Sequence, residues 1–170
     1  MEVLIVQHVT ETRLTSNTGR LAALSLPNAK ILEYGGGEPF DESRLLAEQA
    51  LLLYSASPSA PVANARVLAS VSRLVVLDGS FRQARRMYKR IHALRGLPEL
   101  ALQAPVVAPL RLRQPPHADG MSTLEAIAHA LALLEGEQIA QPLHVLQAEF
   151  VQRMDTLRGR RRDALGRGTS

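Results

Sequence analysis

Four short strand-like runs, separated by segments with helical spacing, constrain this chain more than any other feature. VLIVQHV (3 to 9) reads as a buried strand, and AKILEY (29 to 34), ALLLYSA (50 to 56) and RLVVLD (73 to 78) read as three more. Between them, TGRLAALSL (18 to 26) suits a short helix, and Asp41 is placed to cap a helix through ESRLLAEQ. A further helix falls near residues 62 to 70, and the fourth run leads into a helix crowded with arginines. APVVAPLRLR (104 to 113) reads as a fifth strand that runs into the irregular stretch QPPHADGM. Ser122 opens a helix as far as Glu135, and a last helix occupies about 141 to 158. This alternation predicts an α/β fold: a single domain over residues 1–157, with a mainly parallel sheet flanked by helices. Residues 158–170, RGRRRDALGRGTS, read as a basic flexible tail. Sheets of this kind bind ligands outside the carboxyl ends of their strands.

Composition narrows the partners. Of 170 residues 46% are hydrophobic, enough for one packed core and unlike a disordered chain. The net charge is +4, and Lys30 and Lys89 are the only lysines, so the basic excess is arginine. Guanidinium forks match phosphate geometry and point to nucleic acid, while a GC-rich genome would produce the same bias together with Ala, Leu and Gly. Composition alone does not choose between them. The absence of cysteine removes disulfides, thiolate nucleophiles and cysteine-ligated zinc. No apolar run reaches the roughly 18 residues a membrane span needs, and MEVLIVQHV has neither the basic region nor the cleavage site of a signal peptide. A cytoplasmic protein without a membrane partner is expected.

Several residues stand where chemistry is done. In the segment 82 to 95, Arg82, Arg85, Arg86, Lys89 and Arg90 share one helical face, opposite Ala84, Met87, Tyr88, Ile91 and Leu94. Five cations with no interleaved acid repel one another, which favours a phosphate-contacting surface over a merely solvated one. Asp78 ends the fourth run: it either forms an Asx turn feeding a helix capped by Ser80, or presents a functional acid at a strand's carboxyl end. Ser122-Thr123-Leu124-Glu125 fits a capping box, giving Glu125 a structural task and defining a helix N-terminus whose amides suit an anion or cofactor. His129 follows one turn later, spaced to pair with Glu125. Arg111 and Arg113 share one face of the fifth run, either binding a carboxylate or phosphate or charging a sheet edge. Asn17, Thr18 and Arg20 follow the first strand, where Ser16 or Asn17 suits a helix cap and Arg20 a ligand contact. Gly-x-Gly-x-x-Gly, Walker-type Gly-Lys-Ser/Thr, Gly-x-Ser-x-Gly and His-Glu-x-x-His are all absent, which disfavours dehydrogenases, P-loop NTPases, serine hydrolases and zinc peptidases.

Three blocks together resemble the DTW-domain family, the tRNA-uridine aminocarboxypropyltransferases related to SPOUT-like RNA-modifying enzymes. VQHVTETRLTSNTGRLAALSLPNAKI (6 to 31) is similar to the family's opening block, with its Gln-His pair, glutamate and Asn-Thr-Gly-Arg run. LVVLDGSFRQARRM (74 to 87) is similar to the Asp-Gly-Thr-Trp signature followed by Gln-Ala-Arg-Lys, and RLRQPPHADGMSTLEAIA (111 to 128) to the closing block ending Ser-Thr-Leu-Glu-Ala. Two departures stand out. Ser80-Phe81 replaces Thr-Trp, which keeps a hydroxyl and an aromatic face but loses an indole N–H. The cysteine-rich, zinc-binding segment that members often carry has no counterpart among these residues, so no metal is expected.

The resemblance implies S-adenosylmethionine as co-substrate and a tRNA uridine as acceptor. Uridine N3 would attack the methylene beside the sulfonium, giving 3-(3-amino-3-carboxypropyl)uridine and methylthioadenosine. Asp78 and Ser80 then become catalytic candidates, Asp78 removing the N3 proton or orienting the base, and Ser80 holding the donor or the uracil edge. Leu77, Gly120, Met121, Ser122, Thr123 and Glu125 would line the donor site, with Arg111 or Arg113 on the donor carboxylate. Asn17, Thr18 and Arg20 would contact RNA together with Phe81, Arg82, Arg85, Arg86 and Lys89, Phe81 by stacking on a flipped base. SPOUT-like relatives carry a knot in the closing region. The competing readings are a methyltransferase on the same scaffold, which would release adenosylhomocysteine, and a noncatalytic RNA-binding domain. Neither the modified uridine nor the oligomeric state is legible in the sequence.

Overall fold

The computed structural model describes residues 1–54, 65–102 and 121–166. Five parallel strands form one sheet: β1 (Glu2–His8), β2 (Ala29–Tyr34), β3 (Ala50–Leu53), β4 (Arg73–Asp78) and β5 (Glu99–Leu100), in the order β2-β1-β4-β3-β5. The helices are α1 (Thr18–Ser25), α2 (Ala65–Ser70), α3 (Phe81–Arg90), α4 (Thr123–Glu135) and α5 (Glu137–Gly166). The expected α/β architecture is therefore what the chain adopts.

The central strands are apolar on both faces because both faces are covered. Val3, Ile5, Leu74 and Val76 pack with Ala22 of α1, Leu124, Ile127 and Leu131 of α4, and Leu143 of α5. On the other side Leu4, Val6, Val75 and Leu77 pack with Met87 of α3 and with Leu45, Ile91 and Leu94. Burying a side chain the size of these leucines and isoleucines stabilises by about 1.5–3 kcal/mol. These two layers fix β1 and β4 at the centre of the sheet.

Where the structure departs from the sequence reading, local geometry explains it. The helix expected through residue 49 is a single 3₁₀ turn, Glu42–Leu45, capped by Asp41, whose Oδ1 accepts from Ser43 N at 3.1 Å. Glu42 accepts from Ala93 N at 2.7 Å and Leu45 is fully buried, so the turn is tied to the second 3₁₀ turn at His92–Gly96. The described fifth strand is Glu99–Leu100, which is shorter than any periodic pattern could reveal; residues 104–113 lie outside the described part. Gly136, at φ 101°, ends α4 with its N–H bonded to Ala132 and Leu131, and α5 starts immediately after it. The last helix thus begins before residue 141, contains Pro142, and carries its backbone through Gly166, well into the segment read as a tail. Residues 103–120, through which a SPOUT-like threading would lead to α4, also lie outside the described part.

One topological feature locates the site. From β1 the chain leaves toward the β2 edge, whereas from the adjacent β4 it leaves past β3 to the β5 edge. Ligands of open α/β sheets bind at such a divergence, outside the carboxyl ends of the two strands.

Candidate active site between β1 and β4

Gln7 and Asp78 stand opposite each other in the parallel register at that divergence. Strand alternation turns both toward the α1 and α4 side of the sheet, along with Val3, Ile5, Leu74 and Val76. Gln7 Nε2 donates to Asp78 Oδ2 at 2.8 Å, and the Thr123 hydroxyl donates to Asp78 Oδ1 at 2.5 Å. Gln7 Nε2 also lies 3.3 Å from Asn17 Oδ1. Asp78 is only 4% exposed and each carboxylate oxygen is engaged. It is therefore not the acid of an Asx turn: the turn is closed by Ser80 and Gln83, while Asp78 points into the molecule.

Two helices begin against this carboxylate. Asn17 caps α1, its Oδ1 accepting from Arg20 N at 2.7 Å and its Nδ2 donating to the Glu11 carbonyl at 2.7 Å. Gly19 follows, and a side chain there is impossible without movement: a Cβ would lie 2.6 Å from Asp78 Cγ. This is why the Asn-Thr-Gly-Arg run needs its glycine. Thr123 is the first residue of α4, whose start is held by the expected capping box, Glu125 N to Ser122 Oγ and Ser122 N to Glu125 Oε2, both at 3.2 Å. The positive ends of both helix dipoles meet the carboxylate. Residues from all three sequence blocks converge on one acid.

On the opposite side of the same strand ends, α3 starts with a second capping box. Gln83 N donates to Ser80 Oγ, and Ser80 N donates to Gln83 Oε1 at 2.6 Å. Phe81, the first helical residue, is 54% exposed, so it faces outward rather than into the core. Arg82, Arg85, Arg86, Lys89 and Arg90 are exposed, while Met87 and Ile91 are buried, as the two-face reading requires.

The other expected site residues are distributed as follows. Ser80 is exposed at the turn, Met121, Ser122 and Thr123 are half-buried at the start of α4, Thr18 is half-buried and Arg20 exposed. Asn17 is buried and occupied as a cap, so its side chain is turned away from any RNA surface. Leu77 packs in the α3-side core, on the opposite face of the sheet from Asp78, so its side chain does not join Thr123. Glu125 is buried in its capping role. The ring of His129 lies edge-on to His144, centroids 5.3 Å apart. Arg111, Arg113 and Gly120 lie outside the described residues. Sequence reasoning missed Gln7 as a member of the site. Its position at the carboxyl end of β1 was the available signal, but its partner is 71 residues away. Among the described residues no group of three or more His, Asp or Glu side chains could hold a metal, and no helix is long and apolar enough to cross a membrane.

A buried acid tied to two helix starts at the switch point of a parallel sheet, beside an exposed aromatic and a basic helix, places this chain among the open α/β domains, which as a class bind ligands at their strand ends. The DTW domain family model matches residues 1–155, and the chain belongs to that family. It is similar to tRNA-uridine aminocarboxypropyltransferase 2 of Drosophila melanogaster, 31% identical over 157 residues, which cover 85% of this chain and 62% of that relative's length. No solved structure matches the chain.

Proposed function

We propose that the protein transfers the 3-amino-3-carboxypropyl group of S-adenosylmethionine to N3 of a uridine in tRNA, releasing methylthioadenosine. The family membership and the activity named for the Drosophila relative support the reaction class. The observation that carries the reading to residues is the convergence of Gln7, Asn17, Asp78 and Thr123 at the carboxyl ends of β1 and β4.

The residues at the start of α4 fit a donor of this kind. Helix N-termini present unpaired amides suited to a carboxylate or a ribose. When bound, the donor supplies a methylene activated by an adjacent sulfonium. The chain's own task is to align the uridine, exclude water and take up the N3 proton. Asp78 is too buried to meet the base directly, but Thr123 connects it: the hydroxyl proton is held on Asp78 Oδ1, leaving the Thr123 oxygen able to accept from N3–H. Gln7 and Gly19 keep the carboxylate in place for that transfer. Phe81 stacks on the extruded base and the basic face of α3 holds the flanking phosphates.

The test is mass spectrometry of the small-molecule product after incubation with S-adenosylmethionine and unmodified tRNA. Methylthioadenosine that forms only with tRNA present is expected. Adenosylhomocysteine would make the protein a methyltransferase, and no product with intact tRNA binding would make it a noncatalytic RNA-binding domain.

A further inference from the structure

We infer that His8 is a further active-site residue, held as the Nε2–H tautomer so that it donates this N–H to a carbonyl oxygen of the acceptor base. The inference rests on the transfer proposed above and adds a second group to it. His8 ends β1 on the α3 side of the sheet, half-buried beside the Asp-Gly-Ser turn: a Cβ on Gly79 would lie 3.6 Å from His8 Cβ.

Two N–H donors and a hydroxyl converge on one ring nitrogen. Thr10 N–H and Gln83 Nε2 each lie 3.3 Å from His8 Nδ1, and the Thr10 hydroxyl lies 2.9 Å from it. The backbone N–H can only donate. The Gln83 amide is also fixed in orientation, because its Oε1 accepts from Ser80 N at 2.6 Å, leaving its NH₂ to face His8 and Thr10 Oγ1, the latter at 2.6 Å. A ring nitrogen surrounded by donors is an acceptor, so the neutral ring carries its proton on Nε2. Nε2 has no hydrogen-bond partner among the described residues. Its neighbour is Gly35, where even a Cβ would stand 3.8 Å away. A chain of hydrogen bonds through Ser80, Gln83 and Thr10 thus sets the ring and leaves one N–H beside Gly35, just past the carboxyl end of β2.

That donor has a use in the transfer. As the N3 proton leaves through Thr123 toward Asp78, charge spreads from N3 to uracil O2 and O4, and a preorganised N–H at one of those oxygens stabilises it. N3 then forms its bond to the methylene carbon while the carbon–sulfur bond breaks with its electron pair going to sulfur. His8 keeps its proton throughout. Gln83 and Thr10 are positioning residues for it.

The experiment compares methylthioadenosine formation by the wild type, His8→Ala and His8→Gln with tRNA and S-adenosylmethionine, alongside the ¹⁵N signals of the His8 ring in the free protein. His8→Ala is expected to lower kcat by about a hundredfold, the scale of losing one such donor, with KM for tRNA little changed. His8→Gln, which retains an N–H, should recover part of the loss, and the ring should be protonated on Nε2. Full kcat in a folded His8→Ala variant, or a ring protonated on Nδ1, overturns the role of His8 while the transfer stands. A wild type that makes no methylthioadenosine overturns both.

Discussion

Gln7 Nε2 donates to Asp78 Oδ2 at 2.8 Å across neighbouring parallel strands, joining residues 71 apart in the chain. The amide gives the buried carboxylate a partner on the sheet, and Thr123 gives it one on α4. The acid is therefore fixed before any substrate arrives.

Asp78→Asn keeps the shape and still offers Gln7 an oxygen, while the Thr123 hydroxyl can turn to another acceptor. The variant should fold and bind tRNA as the wild type does but turn over about a hundredfold more slowly or worse, the usual scale of acid–base effects. Unchanged turnover would remove Asp78 from the proton's path. Asp78→Ala takes the acceptor from the half-buried Thr123 hydroxyl and the shorter of two hydrogen bonds from Gln7 Nε2, which keeps only Asn17 at 3.3 Å, and should lose about 1–3 kcal/mol in urea denaturation as well.

Gly19→Ala should be destabilising out of proportion to its size. The added methyl would meet Asp78 Cγ at 2.6 Å, and that side chain is held from two sides. Overpacking of this kind costs about 1–3 kcal/mol, and here it also displaces the acid. Gly96→Ala, with nothing within 4 Å of the new Cβ, is the control and should stay within about 0.5 kcal/mol of wild type. Thermal melts and turnover of the two variants decide the matter.

Reversing Arg82 and Arg86 to Glu leaves the buried face of α3 intact, because both side chains are exposed. Binding to tRNA should weaken, and the dependence of log K on log salt should flatten by about one unit for each phosphate the helix no longer neutralises. An unaltered salt slope would return the basic face to solvent.

Tyr88 donates to a Glu99 carboxylate oxygen at 2.6 Å, and this bond, with burial behind it, pushes the phenol up to about 12 from its usual 10. A group whose folded-state value is raised stabilises the protein fully below its unfolded value and loses that contribution as the pH climbs through the folded one. The stability gap between wild type and Tyr88→Phe should thus be constant below pH 10 and close as the pH rises to about 12. Denaturation at stepped alkaline pH measures it. Because Phe keeps the ring packing against Tyr54, centroids 4.8 Å apart, a gap that persists beyond that range would show that ionisation of the Tyr88 hydroxyl does not govern it.

Local signals made much of the fold readable. β2 and β4 follow their expected bounds, β1 lies within one residue of them, and the Ser122 and Ser80 caps hold the helices they were expected to hold. The two faces of α3 separate by burial as helical periodicity predicts. Signals that were short or tertiary were harder to read. Two residues of β5 carry no period, and the segment after Asp41 stops after one 3₁₀ turn because Glu42 is tied to Ala93.

The candidate site divides along the same line. Asp78, Ser80, Phe81 and the basic stripe could be found in the sequence because strand ends, caps and helical faces depend on residues close along the chain. Which way Asp78 points, that Asn17 is buried rather than offered to RNA, that Gly19 is the surface against which the carboxylate rests, and that Gln7 belongs with them were decided only by the tertiary structure. Strand order brought β1 beside β4, and the side-chain alternation of each strand then put Gln7 and Asp78 on the same face. Local sequence sets what each element is; only packing sets which elements become neighbours, and a hydrogen bond needs both.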